Sequence, residues 1–352
     1  MSWVDALARP DIVALKPYEH AAWRPELERL HANELPWSPR ADAADAEGLN
    51  RYPEPQPQAL IDRLARLYGV APASVLVGRG SDEAIDLLCR AFCRAGQDAV
   101  LVCPPTFGMY AVSARIQGAQ VHAAPLRLEA GFALDEAAVL ERCDASTKVV
   151  FLCSPNNPTG NRLDTTAIRR IAGALAGRAL VVVDEAYIEF ADGASLAADL
   201  EEFSNLALLR TLSKAHGLAG ARCGALLADP QVIALLRKII PPYAVPRLTL
   251  TAALAALESA ALAATGARLA TLRSERVRML AELPRLRAVT RVWPSEANFL
   301  LAEFTAAGAA LERAAAAGLL VRDARAYPGL AQALRITIGT PQQNDRLLEA
   351  WS

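Results

Sequence analysis

The chain has 352 residues, 53% of them hydrophobic and 21% charged, and 37 Lys and Arg against 38 Asp and Glu leave a net charge of -1. That apolar share excludes a disordered chain, and the sequence has neither the basic excess nor the basic stripe of a nucleic-acid binder. A chain this long buries about three quarters of its unfolded surface, which makes a disulfide or metal staple unnecessary, and its length suggests about two domains.

The first 49 residues carry Pro10, Pro17, Pro25, Pro36 and Pro39 and read as an extended arm with a short helix. The opening Met-Ser-Trp-Val-Asp-Ala lacks a basic start and places Asp5 where a signal peptide is apolar. From about residue 58 to 240, short apolar runs at 75–77, 99–103, 149–153, 180–183, 206–209 and 223–228 alternate with amphipathic helical patterns. The runs are continuous and rich in Val and Leu, as strands buried on both faces of a parallel sheet are. Between the first two, Ala84, Ile85, Leu87, Leu88, Ala91 and Phe92 share one helical face. This repetition predicts an α/β fold with a mostly parallel central sheet flanked by helices.

Beyond residue 245 the pattern predicts one long Ala/Leu/Arg helix over 248–282, strands at 298–302, 319–322 and 334–338, a helix at 306–317 and a last helix. Thr340, Pro341 and Gln343 form a start signal for that last helix. The segment 251–272 comes nearest to a membrane span, but Glu258 and Arg268 interrupt it. The expected division is 1–49 as an arm plus part of a small domain, 50–245 as a large domain, and 246–352 as a small α+β domain. The six cysteines have no Cys-x-x-Cys pair and no zinc spacing; Cys103 and Cys153 end apolar runs and read as buried thiols. The expected setting is cytoplasmic, without membrane, nucleic acid or metal.

In an open parallel sheet, ligands bind beyond the carboxyl ends of the strands. Four polar groups stand at such ends. Gly78-Arg79-Gly80-Ser81-Asp82-Glu83 opens a helix whose free N–H groups suit an anion. It also reads as an ordinary Ser-capped helix, and Asp82 and Glu83 must project away from any phosphate. Ser154-Pro155-Asn156-Asn157-Pro158-Thr159-Gly160 holds an amide at a strand end and is more specific than a plain Asn-Pro turn requires. Asp184-Glu185-Ala186-Tyr187 puts an acid at a buried strand end, where it needs a partner unless it merely caps the next helix. Thr211-Leu212-Ser213-Lys214 leads through a Gly-rich stretch to Arg222 and suits a desolvated, nucleophilic lysine.

In this order the four resemble the pyridoxal-phosphate aminotransferases of fold type I, through Asn-Pro-Thr-Gly, Asp-x-x-Tyr and Ser-x-Lys followed eight residues later by Arg. The resemblance narrows to the class-II-like branch acting on histidinol phosphate. It does so at Leu15-Lys16-Pro17-Tyr18, Arg51-Tyr52-Pro53-Glu54-Pro55, the stretch from Cys103 to Tyr110, and the stretch from Leu334 to Thr340. The resemblance implies a pyridoxal 5'-phosphate cofactor bound in the large domain, with Lys214 as its Schiff-base partner and proton carrier. It implies that Asp184 bonds the pyridine nitrogen, Asn157 and Tyr187 the ring 3' oxygen, and that Phe107 stacks on the ring. Ser81, Asp82, Thr211, Ser213 and Arg222 would cup the phosphate, joined by Tyr52 from the second subunit of a homodimer. Tyr18, Arg322 and Arg335 would hold the substrate phosphate, although Arg322 also reads as a strand-end ion pair with Asp323. The implied reaction converts L-histidinol phosphate and 2-oxoglutarate to imidazole-acetol phosphate and L-glutamate, a step of histidine biosynthesis. An aromatic aminotransferase or a threonine-phosphate decarboxylase shares the cofactor residues. A nucleotide-binding module would leave Lys214 and Asp184 without a role, and the chain has no room for the extra domain of a DNA-binding regulator. The histidines, His20, His31, His122 and His216, have no assigned chemistry.

Overall fold

The computed structural model describes residues 2–18, 23–24, 29–37 and 48–352; His20, Pro25 and Pro39 lie outside them. In chain order the elements are α1 (Trp3–Leu7), α2 (Pro10–Ala14), α3 (Gln58–Tyr68), β1 (Val75–Gly78), α4 (Ser81–Phe92), β2 (Ala99–Val102), α5 (Met109–Ile116), β3 (Gln120–Ala123), α6 (Glu136–Arg142) and β4 (Thr147–Cys153). They continue with α7 (Thr165–Ala174), β5 (Leu180–Asp184), β6 (Leu206–Thr211), β7 (Gly224–Ala228), α8 (Pro230–Arg237), α9 (Arg247–Ala256) and α10 (Ser259–Glu282). The chain ends with β8 (Val289–Val292), β9 (Phe299–Phe304), α11 (Ala307–Ala316), β10 (Arg322–Asp323), β11 (Ala333–Thr337) and α12 (Pro341–Trp351).

A seven-stranded sheet runs β1-β7-β6-β5-β4-β2-β3. Strands β2 to β6 pair in parallel, as the continuous apolar runs predicted, while β7 lies antiparallel between β1 and β6. Side-chain alternation along the strands splits the core over the two faces. Val181, Val183, Leu206 and Leu208 point to the face covered by α3 and α7; Leu180, Val182, Ala207 and Leu209 point to the face covered by α4, α5 and α8. Val4, Leu7 and Ala8 of the arm pack into the second cluster.

Strand β3 was not foreseen because Gln120-Val121-His122-Ala123 is an edge strand, half-exposed, with no apolar run. The small antiparallel sheet runs β10-β11-β9-β8, and its strand β8 was missed for the same reason, since Thr290 and Arg291 are exposed. The expected strand at 319–322 is reduced to Arg322–Asp323. The single helix expected over 248–282 is two helices, α9 and α10, bent by 71°. Glu258 is extended at the break, and Arg63 of α3 pins it by an ion pair to Glu258 at 3.0 Å and a bond to the Leu257 carbonyl. Among the described residues no single helix is long and apolar enough to cross a membrane. The start signal of the last helix is realised as a reciprocal cap: Thr340 Oγ1 accepts from the Gln343 amide, and Gln343 Oε1 from the Thr340 amide.

All six cysteines are buried and free. Burial pushes the thiols of Cys93, Cys103 and Cys223 up to about 12 and that of Cys143 to about 11.

Gly224 allows β7 to approach the start of α4. A Cβ there would stand 2.8 Å from the Gly80 carbonyl carbon and the Ser81 amide and 2.9 Å from the Arg210 carbonyl, all backbone atoms. Gly224→Ala is therefore expected to destabilise the fold by about 1–3 kcal/mol through overpacking and to displace the first turn of α4. Urea unfolding checks the first effect, and cofactor titration of the folded variant checks the second.

Candidate active site

The strand ends and the small sheet enclose a cleft of about 510 Å³. It is lined by Ser81, Asp82, Phe107, Asn157, Asp184, Tyr187, Thr211, Ser213, Lys214, Arg222, Arg322 and Arg335, and so assembles almost every side chain singled out from the sequence. Tyr18 and Tyr52 do not line it within the single chain. Tyr18 is 66% exposed, and Tyr52 stacks on Tyr243 at 4.6 Å in the arm region.

Asp184 ends β5 fully buried. Its Oδ2 accepts from the Tyr110 hydroxyl at 2.7 Å and its Oδ1 from the Ala186 amide at 3.0 Å. Desolvation raises its pKa to about 6 against the pull of those two donors. At neutral pH it is thus a buried anion that reaches into the cleft, and a protonated ring nitrogen is a partner of the right charge and shape. Asp184 does not cap the next helical turn, which starts after Tyr187 without a side-chain cap. Tyr110 has no role in the sequence reading. It is a wholly buried ring stacked on Phe151 at 4.8 Å, and its sequence signal was its place at the end of the Cys103–Tyr110 stretch, which carried no role for it.

Lys214 follows β6 with its Nζ 5.6 Å from the centre of the Tyr187 ring. Burial, and then the cation of Arg335, lower its pKa, which favours the neutral amine. Tyr187 accepts from Asn157 Nδ2 at 3.3 Å, and Asn157 Oδ1 accepts from Arg335 Nη1 at 2.5 Å. The Asn157 amide is thereby oriented from both ends. Phe107 meets Tyr110 edge-on at 5.5 Å and presents a ring to the cleft.

The first turn of α4 faces Arg222. Gly80 has φ 88°, which a side chain adopts only under strain, and a Cβ there would come within 2.9 Å of Arg222 Nη2. Arg222 is itself left-handed at φ 54° and bonds Asp82 Oδ2 at 3.1 Å and Ser213 Oγ at 3.4 Å. Thr211 Oγ1 accepts from the Ser213 amide. Glu83 turns away from the cleft, as a phosphate site requires, and pairs with Arg79 at 2.7 Å. Asp82 instead stays beside Arg222. The unpaired N–H groups of the first helical turn, two hydroxyls and a guanidinium form a cradle suited to a phosphate.

Arg322 and Arg335 are paired across β10 and β11. Directly opposed like charges repel, so the pair marks a place for an anion. Asp323 does not neutralise Arg322, because Arg325 takes it at 2.7 Å. Arg335 Nε is buried without a protein partner. Cys153, Met109, Val112 and Tyr327 also line the cleft and were not anticipated.

The sequence matches the family described as aminotransferase class I and II over residues 24–350. It is 52% identical to a histidinol-phosphate aminotransferase of Stenotrophomonas maltophilia, over 99% of this chain and 96% of that protein. The fold is similar to the crystal structure of histidinol-phosphate aminotransferase from Sinorhizobium meliloti in complex with pyridoxal-5'-phosphate, with TM-score 0.77, 25% identity, and coverage of 86% and 82% of the two chains. It is also similar to L-threonine-O-3-phosphate decarboxylase from Porphyromonas gingivalis, with TM-score 0.73, 26% identity, and coverage of 86% and 90%. With its cleft built from the same ordered motifs, the chain belongs to the class I and II aminotransferase family.

Proposed function

We propose that the protein is a pyridoxal 5'-phosphate-dependent transaminase that exchanges the amino group of L-histidinol phosphate with 2-oxoglutarate, giving imidazole-acetol phosphate and L-glutamate for histidine biosynthesis. The observation that carries this reading is one cleft in which a desolvated amine, a buried acid and two opposed guanidiniums converge. Its setting is the cytoplasm. The large unit at 50–245 holds the cofactor, 246–352 forms the small C-terminal unit, and the arm at 1–49 begins with residues that pack on the large unit, where Val4, Leu7 and Ala8 join its core and Lys238 donates to the Val13 carbonyl. The active form is a homodimer in which Tyr52 of a second copy joins the cradle.

When bound, pyridoxal phosphate supplies an electron sink that stabilises negative charge at the substrate Cα. Ser81, Asp82, Thr211, Ser213 and Arg222 would hold its phosphate, and Phe107 would pack on its ring. Asp184 keeps a proton on the ring nitrogen, and Tyr110 fixes the carboxylate for that task. Asn157 and Tyr187 donate to the ring oxygen. Lys214 would be the covalent attachment point, and its amine would take and return the proton at the substrate Cα. Arg322, Arg335 and Tyr18 bind the substrate phosphate, each charge-assisted bond contributing about 1.5–3 kcal/mol.

Borohydride treatment of the yellow protein is expected to leave the cofactor on the peptide containing Lys214 and to leave Lys214→Ala unlabelled; an unlabelled parent protein contradicts the reading. A paired assay is expected to show strong preference for histidinol phosphate over histidinol. Arg322→Ala should lower kcat/KM for the phosphorylated substrate by about 10–100-fold with a much smaller effect on histidinol. Equal turnover of phenylalanine, or release of CO2 from threonine phosphate, would redirect the assignment to the aromatic or decarboxylating relatives.

Asp184 makes a separate prediction for the cofactor-free protein. Its folded pKa of about 6 lies above the ordinary aspartate value of 3.8, so the fold binds this proton more tightly than the unfolded chain does. The stability the group confers is complete below about pH 4 and declines as pH rises through about 6. Asp184→Asn removes that penalty, so the variant should gain up to about 3 kcal/mol over the parent between pH 4 and pH 7.5, while its cofactor affinity falls. Urea unfolding of both apo proteins across that range, with cofactor titration, measures the two effects.

A further inference from the structure

Behind the strand ends that carry Asp184 and Lys214, the opposite face of the sheet holds a buried cluster of charge. Arg210 of β6 is 5% exposed and Glu185, just after β5, is 2% exposed. Arg210 Nη2 donates to Glu189 Oε1 at 2.7 Å, and Nη1 lies 3.4 Å from Glu185 Oε2 and 3.3 Å from Ser195 Oγ. Its guanidinium stands 4.2 Å over the Tyr68 ring. Glu185 is further held by the Ser195 hydroxyl at 2.5 Å and the Leu196 amide at 2.8 Å. From the other side Arg273 of α10 donates to the Glu189 and Ala191 carbonyls, while Arg276 donates to those of Phe190 and Ala297.

Taking these charges out of water costs several kcal/mol per ion, and apolar side chains would fill the same volume at no such cost. What charge-assisted bonds add is direction. Glu185 is the residue after Asp184, and Arg210 is the residue before Thr211. Strand alternation places each pair on opposite faces of the sheet, so a displacement of Glu185 against Arg210 displaces Asp184 against the Lys214 loop. Glu189 lies two residues beyond Tyr187 and is gripped at its side chain by Arg210 and at its carbonyl by Arg273. The ring of His216, two residues after Lys214, lies within the field of both Glu189 and Arg210.

We propose that Glu185, Glu189 and Arg210 are positioning residues that lock the loop of Asp184 and Tyr187 in register with the loop of Lys214, from the side of the sheet away from the reactants. This rests on the reading of the cleft given above. The test compares Glu185→Gln, Glu189→Gln and Arg210→Lys with the parent and with Arg170→Ala, which breaks the exposed pair to Glu136. The first readout is hydrogen exchange of the cofactor-free protein, followed over peptides 184–192 and 211–217. Both segments are expected to lose protection together, whichever of the three residues is altered. The second readout is the loaded enzyme: kcat is expected to fall about 10–100-fold with KM within about threefold, and the absorbance titration of the cofactor bound to Lys214 to shift its midpoint. Arg170→Ala should change neither.

A loss of protection confined to the substituted segment overturns the proposal. So does a lower melting temperature with unchanged kcat and titration midpoint, because that is what a merely structural cluster gives. If the Gln variants do not fold, Arg210→Lys, which keeps the charge but not the planar fork, decides the matter by the same readouts. A parent protein that takes up no pyridoxal phosphate would refute the function, while the exchange result would still judge the coupling of the two loops.

Discussion

The buried carboxylate of Asp184 constrains more of this structure than any other single group. An uncompensated anion at the end of a central strand is strongly disfavoured, and the fold surrounds it with a tyrosine hydroxyl and a backbone amide without neutralising it. Tyr110 must then be buried, which sets the position of α5 against Phe151 and β4. The residual demand for a cation points into the cleft. Withholding water from one acid thus makes the cleft attractive to a cationic group.

The two ends of the cleft follow the same logic with opposite sign. At the sheet end, a helix start, two hydroxyls and Arg222 provide positive potential. The approach is close enough that Gly80 and Gly224 must lack side chains. At the small-sheet end, Arg322 and Arg335 are fixed as neighbours by the β10–β11 ladder, and Arg335 reaches back to orient Asn157. A substrate with an amine at one end and a phosphate at the other matches this spacing of charge. The bonds of Asn157 to Tyr187 and Arg335 also make the two ends of the cleft a single hydrogen-bonded unit.

Much of this was legible in the sequence because burial on both faces leaves a simple signature. The apolar runs at 149–153, 180–183 and 206–209 became β4, β5 and β6, and the polar residues just beyond them became the cleft. Strands that lie at an edge or face water, β3 and β8, carry no such signature. The direction of β7 is invisible to hydrophobic pattern, since an antiparallel strand buried on both faces reads like a parallel one. The break between α9 and α10 depends on Arg63, almost two hundred residues away in sequence, and helix propensity alone runs straight through it. Tyr110 was missed because a buried aromatic on a helix is ordinarily core, and only its distance to Asp184 reveals the difference.

The placement of the sulfur atoms has a chemical consequence. Thiol oxidation and alkylation proceed through the thiolate, and here every cysteine is buried, which disfavours ionisation. Even Cys153, at the wall of the cleft, sits beside the negative charge of Asp184, which disfavours a second anion. In the cofactor-free cleft the nucleophile favoured by its surroundings is therefore the amine of Lys214, whose charge burial suppresses, and not the thiol of Cys153.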